Sequence, residues 1–141
     1  MFEHLKEEDK ETLHSDDSKK VMKHICQNFK KEINYIDLGT GSGWLPYNLS
    51  KRGFTNVYAA DKFPLTYKKN VNFIRHDLND DELKSGIKFD LVTCLHCVEH
   101  LHNPFRVFDN VYNILKDDGL FNMCVPDMTN IFQRIHFLVN A

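Results

Sequence analysis

The stretch that decides the fold is Tyr35-Ile36-Asp37-Leu38-Gly39-Thr40-Gly41-Ser42-Gly43-Trp44. A short apolar run with strand character leads into three glycines at alternate positions, then into a segment of helix length. Such a turn brings bare backbone against a ligand. Glycine takes positive φ and allows a close approach that a Cβ would block, and the first N–H groups of the following helix face the bound group. The spacing also separates classes of nucleotide binder. A dinucleotide fingerprint places glycine at the first, third and sixth positions, but the sixth position here is Trp44, and the glycines at 39, 41 and 43 read GxGxG.

Outward from this turn, short apolar runs at 34–38, 56–60, 72–75, 89–94 and 120–125 alternate with helix-length segments that include 44–52 and 103–115. Strands alternating with helices predict a parallel sheet. Phe105, Phe108, Val111, Tyr112 and Leu115 recur at helical spacing, and Asp117-Asp118-Gly119 predicts a turn into the fifth strand. Ahead of the sheet, Val21, Ile25 and Phe29 recur every four residues behind Ser15, Asp16 and Asp17, which predicts a helix over 16–31. Phe2, Leu5 and Leu13 belong to a short helix or a tail. Ile131, Phe132, Ile135, Leu138 and Val139 predict a last amphipathic helix within 128–141.

The chain of 141 residues, 42% hydrophobic, suffices for one core and one domain, divided into a helical segment (1–32), a core (33–126) and a terminal helix (127–141). A formal charge of −2 gives no general attraction for a polyanion, so no nucleic-acid partner is expected. Cys26, Cys94, Cys97 and Cys124 lack the paired CxxC spacing of a structural zinc site and read as free thiols. The first ten residues are charged and no run approaches the length of a membrane span, so a reducing, cytoplasmic setting without membrane attachment is expected.

Two further acids stand where strands end. Asp61 closes Val57-Tyr58-Ala59-Ala60-Asp61-Lys62, and one ionised carboxylate there accepts two charge-assisted bonds from a ribose cis-diol. Asp77 closes Phe73-Ile74-Arg75-His76-Asp77-Leu78. Together with an acid two residues before GxGxG, these motifs resemble the class I S-adenosylmethionine-dependent methyltransferases over residues 33–125. The resemblance implies an α/β, Rossmann-like doubly wound sheet in the order 3-2-1-4-5, and S-adenosyl-L-methionine as cofactor. It implies a glycine loop (Gly39, Thr40, Gly41, Gly43) on the methionine part of that cofactor, with Asp37 orienting the ammonium group. Asp61 and Lys62 would meet the ribose side, and Asp77 and the Leu78 N–H the adenine.

The segment Phe89-Asp90-Leu91-Val92-Thr93-Cys94-Leu95-His96-Cys97-Val98-Glu99-His100-Leu101-His102-Asn103-Pro104 resembles the fourth strand and following loop of small-molecule methyltransferases, including the ubiquinone-biosynthesis O-methyltransferases. That resemblance puts Cys94 and Leu95 against the cofactor, and His96, Glu99 and His100 in the reaction zone. His100 or His96 would act as base on an oxygen of a small molecule, sugar or lipid precursor. His96-Cys97-Val98-Glu99-His100 also spells the HxxEH of a zinc peptidase, which requires a continuous active-site helix and a further ligand. Some related O-methyltransferases hold a divalent ion with Glu, Glu and His in this segment, but the first of those positions is His96 here, and no metal is expected.

A complete sheet of this class has seven strands, and the chain stops one helix past the fifth. It reads as a fragment or as a minimal form whose fifth-strand edge is covered by a second copy or a partner subunit. Two rival classes stay open: a cofactor-binding but inactive partner subunit, and a nicotinamide-dependent oxidoreductase, against which Trp44 speaks.

Overall fold

The computed structural model describes residues 16–80 and 82–126. Five parallel strands, β1 (Asn34–Leu38), β2 (Asn56–Asp61), β3 (Asn72–Arg75), β4 (Phe89–Leu95) and β5 (Leu115–Cys124), form one sheet in the order β3-β2-β1-β4-β5. The expected order is the observed one. Both expected segments at the ends, within 1–15 and 127–141, lie outside the described residues.

Alternation along the central strands sends successive side chains to opposite faces, and helices cover both. Tyr35, Val57 and Leu91 pack with Trp44, Leu45 and Leu49 of α2 (Trp44–Lys51) and with Ile25 of α1 (Asp16–Asn28). Ile36, Leu38, Val92 and Cys94 pack on the other face with Val107, Val111 and Ile114 of α3 (Phe105–Ile114). Each large apolar side chain buried this way contributes about 2 kcal/mol. Pro46 is harmless in α2, because it occupies the first turn, where a backbone N–H has no intrahelical acceptor.

α1 ends three residues before its predicted end. The Asn28 side chain donates to the His24 carbonyl at 2.8 Å, and the chain then turns so that Lys31 O accepts from Thr55 N–H at 3.0 Å. α3 begins at Phe105, two residues late, because Asn103 Oδ1 accepts the Phe105 N–H in a side-chain turn.

The largest departure is β5. It begins at Leu115, where α3 stops, five residues before the predicted start. Phe89 pairs with Leu115 while Leu91 pairs with Leu120, so three residues of β4 oppose six of β5 counted end to end. The predicted turn Asp117-Asp118-Gly119 is this excursion within the strand. Its first half is pinned by Lys116 Nζ, which lies 2.8 Å from Asp90 Oδ1.

Candidate functional site

The carboxyl ends of β1, β2, β3 and β4 converge on a cleft of about 180 Å³. Gly39, Asp61, Lys62, Asp77, Leu78, His96 and His100 line it together with His76, Asn79, Cys97 and Leu101. In a doubly wound sheet, ligands bind outside the carboxyl ends of strands, where the strand order reverses; β1 and β4 flank that point here.

The glycine loop needs glycine for two separate reasons. Gly39, Gly41 and Gly43 have φ of +63°, +63° and +81°. A Cβ on Gly39 would lie 2.3 Å from Cys97 Sγ, and one on Gly43 would lie 2.6 Å from the Tyr67 carbonyl oxygen, whereas one on Gly41 would meet nothing within 4 Å. The loop is therefore packed from below at its ends and open at its middle. Its start is tied to β2, with Gly39 N–H donating to Ala60 O at 2.8 Å.

Asp61 continues that tie. Its Oδ2 accepts Gly41 N–H at 2.8 Å and its Oδ1 accepts Phe63 N–H at 2.9 Å. One carboxylate joins the loops after β1 and β2, and each oxygen keeps a further lone pair. Asp77 Oδ1 accepts from Asn79 N–H at 2.9 Å and from Asn79 Nδ2 at 3.1 Å, while Lys62 Nζ lies 4.0 Å from Asp77 Oδ2. The Asn79 N–H chiefly holds the Asp77 carboxyl below the usual range.

Asp37 differs from these two. It is buried, and Thr93 Oγ1 donates to its Oδ1 at 2.5 Å. With that hydrogen committed, Tyr35 OH donates to Thr93 Oγ1 at 2.8 Å. Burial pushes the Asp37 carboxyl up to about 6; the Thr40 and Thr93 hydroxyls oppose the shift and the Asp61 charge adds to it. Asp37 is thus a buried acid beneath the glycine loop and not part of the cleft lining.

Of the remaining expected cofactor contacts, Leu78 is in the cleft, but Cys94 is fully buried in the α3-side core and Leu95 packs with the α1- and α2-side cluster. His76, Asn79 and Leu101 were not among the expected site residues, and Cys97 was read as a free thiol within the segment expected at the reaction zone. Asn79 carried a signal, since it lies two residues after Asp77, and it knits the site: its Oδ1 accepts His102 N–H at 2.9 Å and its carbonyl accepts Arg106 Nη1 at 2.9 Å. His76 Nε2 is buried without a hydrogen-bond partner among the described residues, and burial lowers the affinity of its ring for a proton.

The segment after β4 is not the helix a zinc peptidase requires. His96 sits in the left-handed region at φ +49°, and only Val98–His100 form a single 3-10 turn. His96 and His100 therefore do not share a helix face. His100 Nε2 lies 3.8 Å from Glu99 Oε1, and its side chain is 77% exposed. His96 Nε2 instead meets Asp17 Oδ2 of α1 at 3.0 Å.

A family described as a methyltransferase domain matches residues 12–141. The chain belongs to this methyltransferase-domain family. A ubiquinone biosynthesis O-methyltransferase from Rickettsia felis is 31% identical over 111 residues, which cover 72% of this chain and 43% of that protein. A sphingolipid C9-methyltransferase from Komagataella phaffii is 33% identical over 122 residues, 71% of this chain and 25% of that protein. The solved structure of coclaurine N-methyltransferase bound to N-methylheliamine and S-adenosylhomocysteine superimposes with a TM-score of 0.62 at 17% identity, over 75% of this chain and 35% of that one. The chain spans less than half the length of these curated relatives. Family membership, with S-adenosylhomocysteine bound in solved methyltransferases of this fold, indicates S-adenosylmethionine as the cofactor. The donor set fits that molecule: an open Gly41, two carboxylates with spare lone pairs, and an unpartnered ring nitrogen on His76. No helix among the described residues is long and apolar enough to cross a membrane.

Proposed function

We propose that the chain transfers a methyl group from S-adenosylmethionine to an oxygen of a small molecule, sugar or lipid precursor. The observation that carries this reading is one cleft, at the carboxyl ends of the strands, whose lining includes Gly39, Asp61 and Asp77 together with His96 and His100. When bound, the cofactor supplies an electrophilic methyl on a sulfonium, with a thioether as leaving group. Gly39, Thr40, Gly41 and Gly43 would pack on its methionine part, above the buried charge of Asp37. Asp61 would accept from the ribose hydroxyls, with Lys62 beside it, and Asp77 and Leu78 would meet the adenine.

His100 is the proposed base. It lines the cleft with its ring largely exposed, 3.8 Å from Glu99 Oε1, and can take the proton that the acceptor hydroxyl gives up. His96 is the weaker choice, because its Nε2 already faces Asp17. The acceptor oxygen gains the carbon as the proton leaves for His100, so charge balances without a further reactant. Support for an oxygen acceptor comes from the ubiquinone-biosynthesis relatives; the sphingolipid relative is a C-methyltransferase and keeps lipid acceptors within the class. A cytoplasmic location belongs to the same proposal. So does a second subunit seated along β5, where Leu120, Met123 and Val125 are exposed.

Calorimetric titration with S-adenosylmethionine, S-adenosylhomocysteine and NADH tests the first half. Binding of the first two, silence with the third, and at least tenfold weaker binding in Asp61→Ala are expected. A folded chain that binds neither adenosyl compound sinks the proposal. Transfer of a labelled methyl to phenolic and catecholic acceptors, with no transfer to matched amines, tests the acceptor atom.

A further inference from the structure

Asp17 Oδ2, His96 Nε2 and Cys124 Sγ form a closed triangle with sides of 3.0, 3.7 and 3.8 Å. The three come from α1, from the loop after β4 and from the end of β5, 79, 28 and 107 residues apart in the pairs just named. We infer that this triangle is a binding site for a divalent ion of the zinc class, distinct from the Glu99–His100 pair.

The geometry separates coordination from a proton relay. In a relay, the acid and the thiol take opposite nitrogens of the imidazole, because one nitrogen is oriented while the other moves the proton. Here both approach Nε2, and all three donor atoms lie within 4.8 Å of one another. Zinc at about 2.3 Å from sulfur and about 2.0 Å from nitrogen and oxygen, in tetrahedral geometry, puts neighbouring ligand atoms about 3.3–3.6 Å apart. Shifts of a few tenths of an ångström convert the observed triangle into one face of that tetrahedron. The charges also suit: a carboxylate and a thiolate neutralise a dication, and neutral imidazole completes a mixed hard and soft set that disfavours magnesium.

Two features hold the triangle in place. His96 N–H donates to the Cys124 carbonyl at 2.8 Å, which fixes the two ligand-bearing backbones against each other. Lys20 approaches Asp17 through Oδ1 at 4.0 Å and leaves Oδ2 to the triangle. His96 also lines the cleft, so the ion would brace α1 against the ends of β4 and β5 at the cleft margin. Three protein ligands leave a fourth position for water. This inference rests on these three side chains and stands independently of the methyl-transfer reading.

The test uses the whole chain, stripped with a chelator and titrated with Co²⁺ and then with Zn²⁺. One equivalent of Co²⁺ is expected to give a thiolate-to-cobalt charge-transfer band that Zn²⁺ displaces and Mg²⁺ does not. Cys124→Ser should abolish the band, and Asp17→Asn and His96→Gln should each weaken Zn²⁺ binding at least tenfold, with the circular dichroism of all three unchanged. Cys26→Ser should leave the band intact. Tight Co²⁺ binding without a thiolate band, or a band that survives Cys124→Ser, overturns the assignment. Since Asp17→Asn replaces a partly exposed helix residue, it keeps the test valid if His96→Gln fails to fold.

Discussion

The loops after β1 and β4 border the same cleft but are built on different principles. The β1 loop is backbone held by backbone and by one carboxylate: Gly39 N–H on Ala60 O, Gly41 N–H on Asp61. The β4 loop presents side chains, with His96 at positive φ, Glu99 beside His100, and His100 itself exposed. A surface made of peptide groups tolerates few substitutions and suits a ligand that never changes. A surface made of side chains can change its chemistry without changing its path. Under the proposed function, the backbone-built loop would serve the cofactor, and the side-chain-built loop would carry the specificity for the acceptor.

The comparison predicts its largest effect on turnover in the β4 loop. His100→Gln should lower kcat by about a hundredfold or more, the usual contribution of a positioned base, while leaving the cofactor Kd within about twofold. Single-turnover methyl transfer and calorimetry read the two quantities separately. A comparable loss of cofactor affinity would show that the two loops are not divided as described.

Next in size is a pair of substitutions in the β1 loop. Gly39→Ala meets both an unfavourable φ and Cys97 Sγ at 2.3 Å, and should cost about 3 kcal/mol of stability. Gly41→Ala meets only the φ, since nothing lies within 4 Å, and should cost about 1 kcal/mol. Gly41→Ala should nevertheless weaken cofactor binding, because its Cβ stands on the open side of the loop. Urea denaturation with and without S-adenosylhomocysteine separates these outcomes. Equal stability losses would mean that packing beneath Gly39 does not matter.

Asp37 sharpens the comparison through pH. Its folded value of about 6 lies above the ordinary carboxyl value of about 3.9, so the fold favours the protonated form. The sign follows: this contribution is complete below about pH 4, declines as pH rises to about 6, and is absent above. Above pH 6 the protein bears the cost of a buried carboxylate, about 3 kcal/mol. Asp37→Asn should flatten the stability profile between pH 4 and 6 and raise stability at pH 8 by about 2 kcal/mol, since Thr93 Oγ1 can still donate to the amide oxygen. The same variant should bind S-adenosylmethionine more weakly if the buried charge serves the ammonium group. Thermal melts across this pH range check the first claim and calorimetry the second.

How far the sequence revealed this division follows from the same contrast. The strands and the three glycines were legible because GxGxG and apolar runs are local signals, whereas the strand order came only with the family resemblance. Asp61 and Asp77 were legible because they stand at strand ends. The Asp17–His96 contact spans 79 residues and depends on where α1 lies, which no local pattern encodes. Cys94 and Leu95 were read as a pair facing the cofactor, but alternation within β4 sends them to opposite cores. The start of β5 was misplaced because Asp117-Asp118-Gly119 has turn composition, and only pairing with β4 shows that the turn is an excursion inside the strand.

The smallest predicted effect lies at the opposite end of the sheet and sets the limit of the comparison. Asp90 accepts Asn34 N–H through Oδ2 at 2.7 Å and faces Lys116 through Oδ1, joining the starts of β1, β4 and β5. Partial burial opposes the Asp90 charge, yet Lys116 and the Asn34 N–H hold its carboxyl below the usual range. Lys116→Ala removes one of these contacts at a site about a third exposed, so it should cost no more than about 1 kcal/mol, with a smaller loss at high salt. The cofactor Kd should not move, because the excursion at Asp117–Gly119 absorbs any slip before β5 regains register at Leu120. A changed Kd would show that strain at the amino ends of the strands reaches their carboxyl ends, and the two loops would then owe their difference to the whole sheet and not to their own construction.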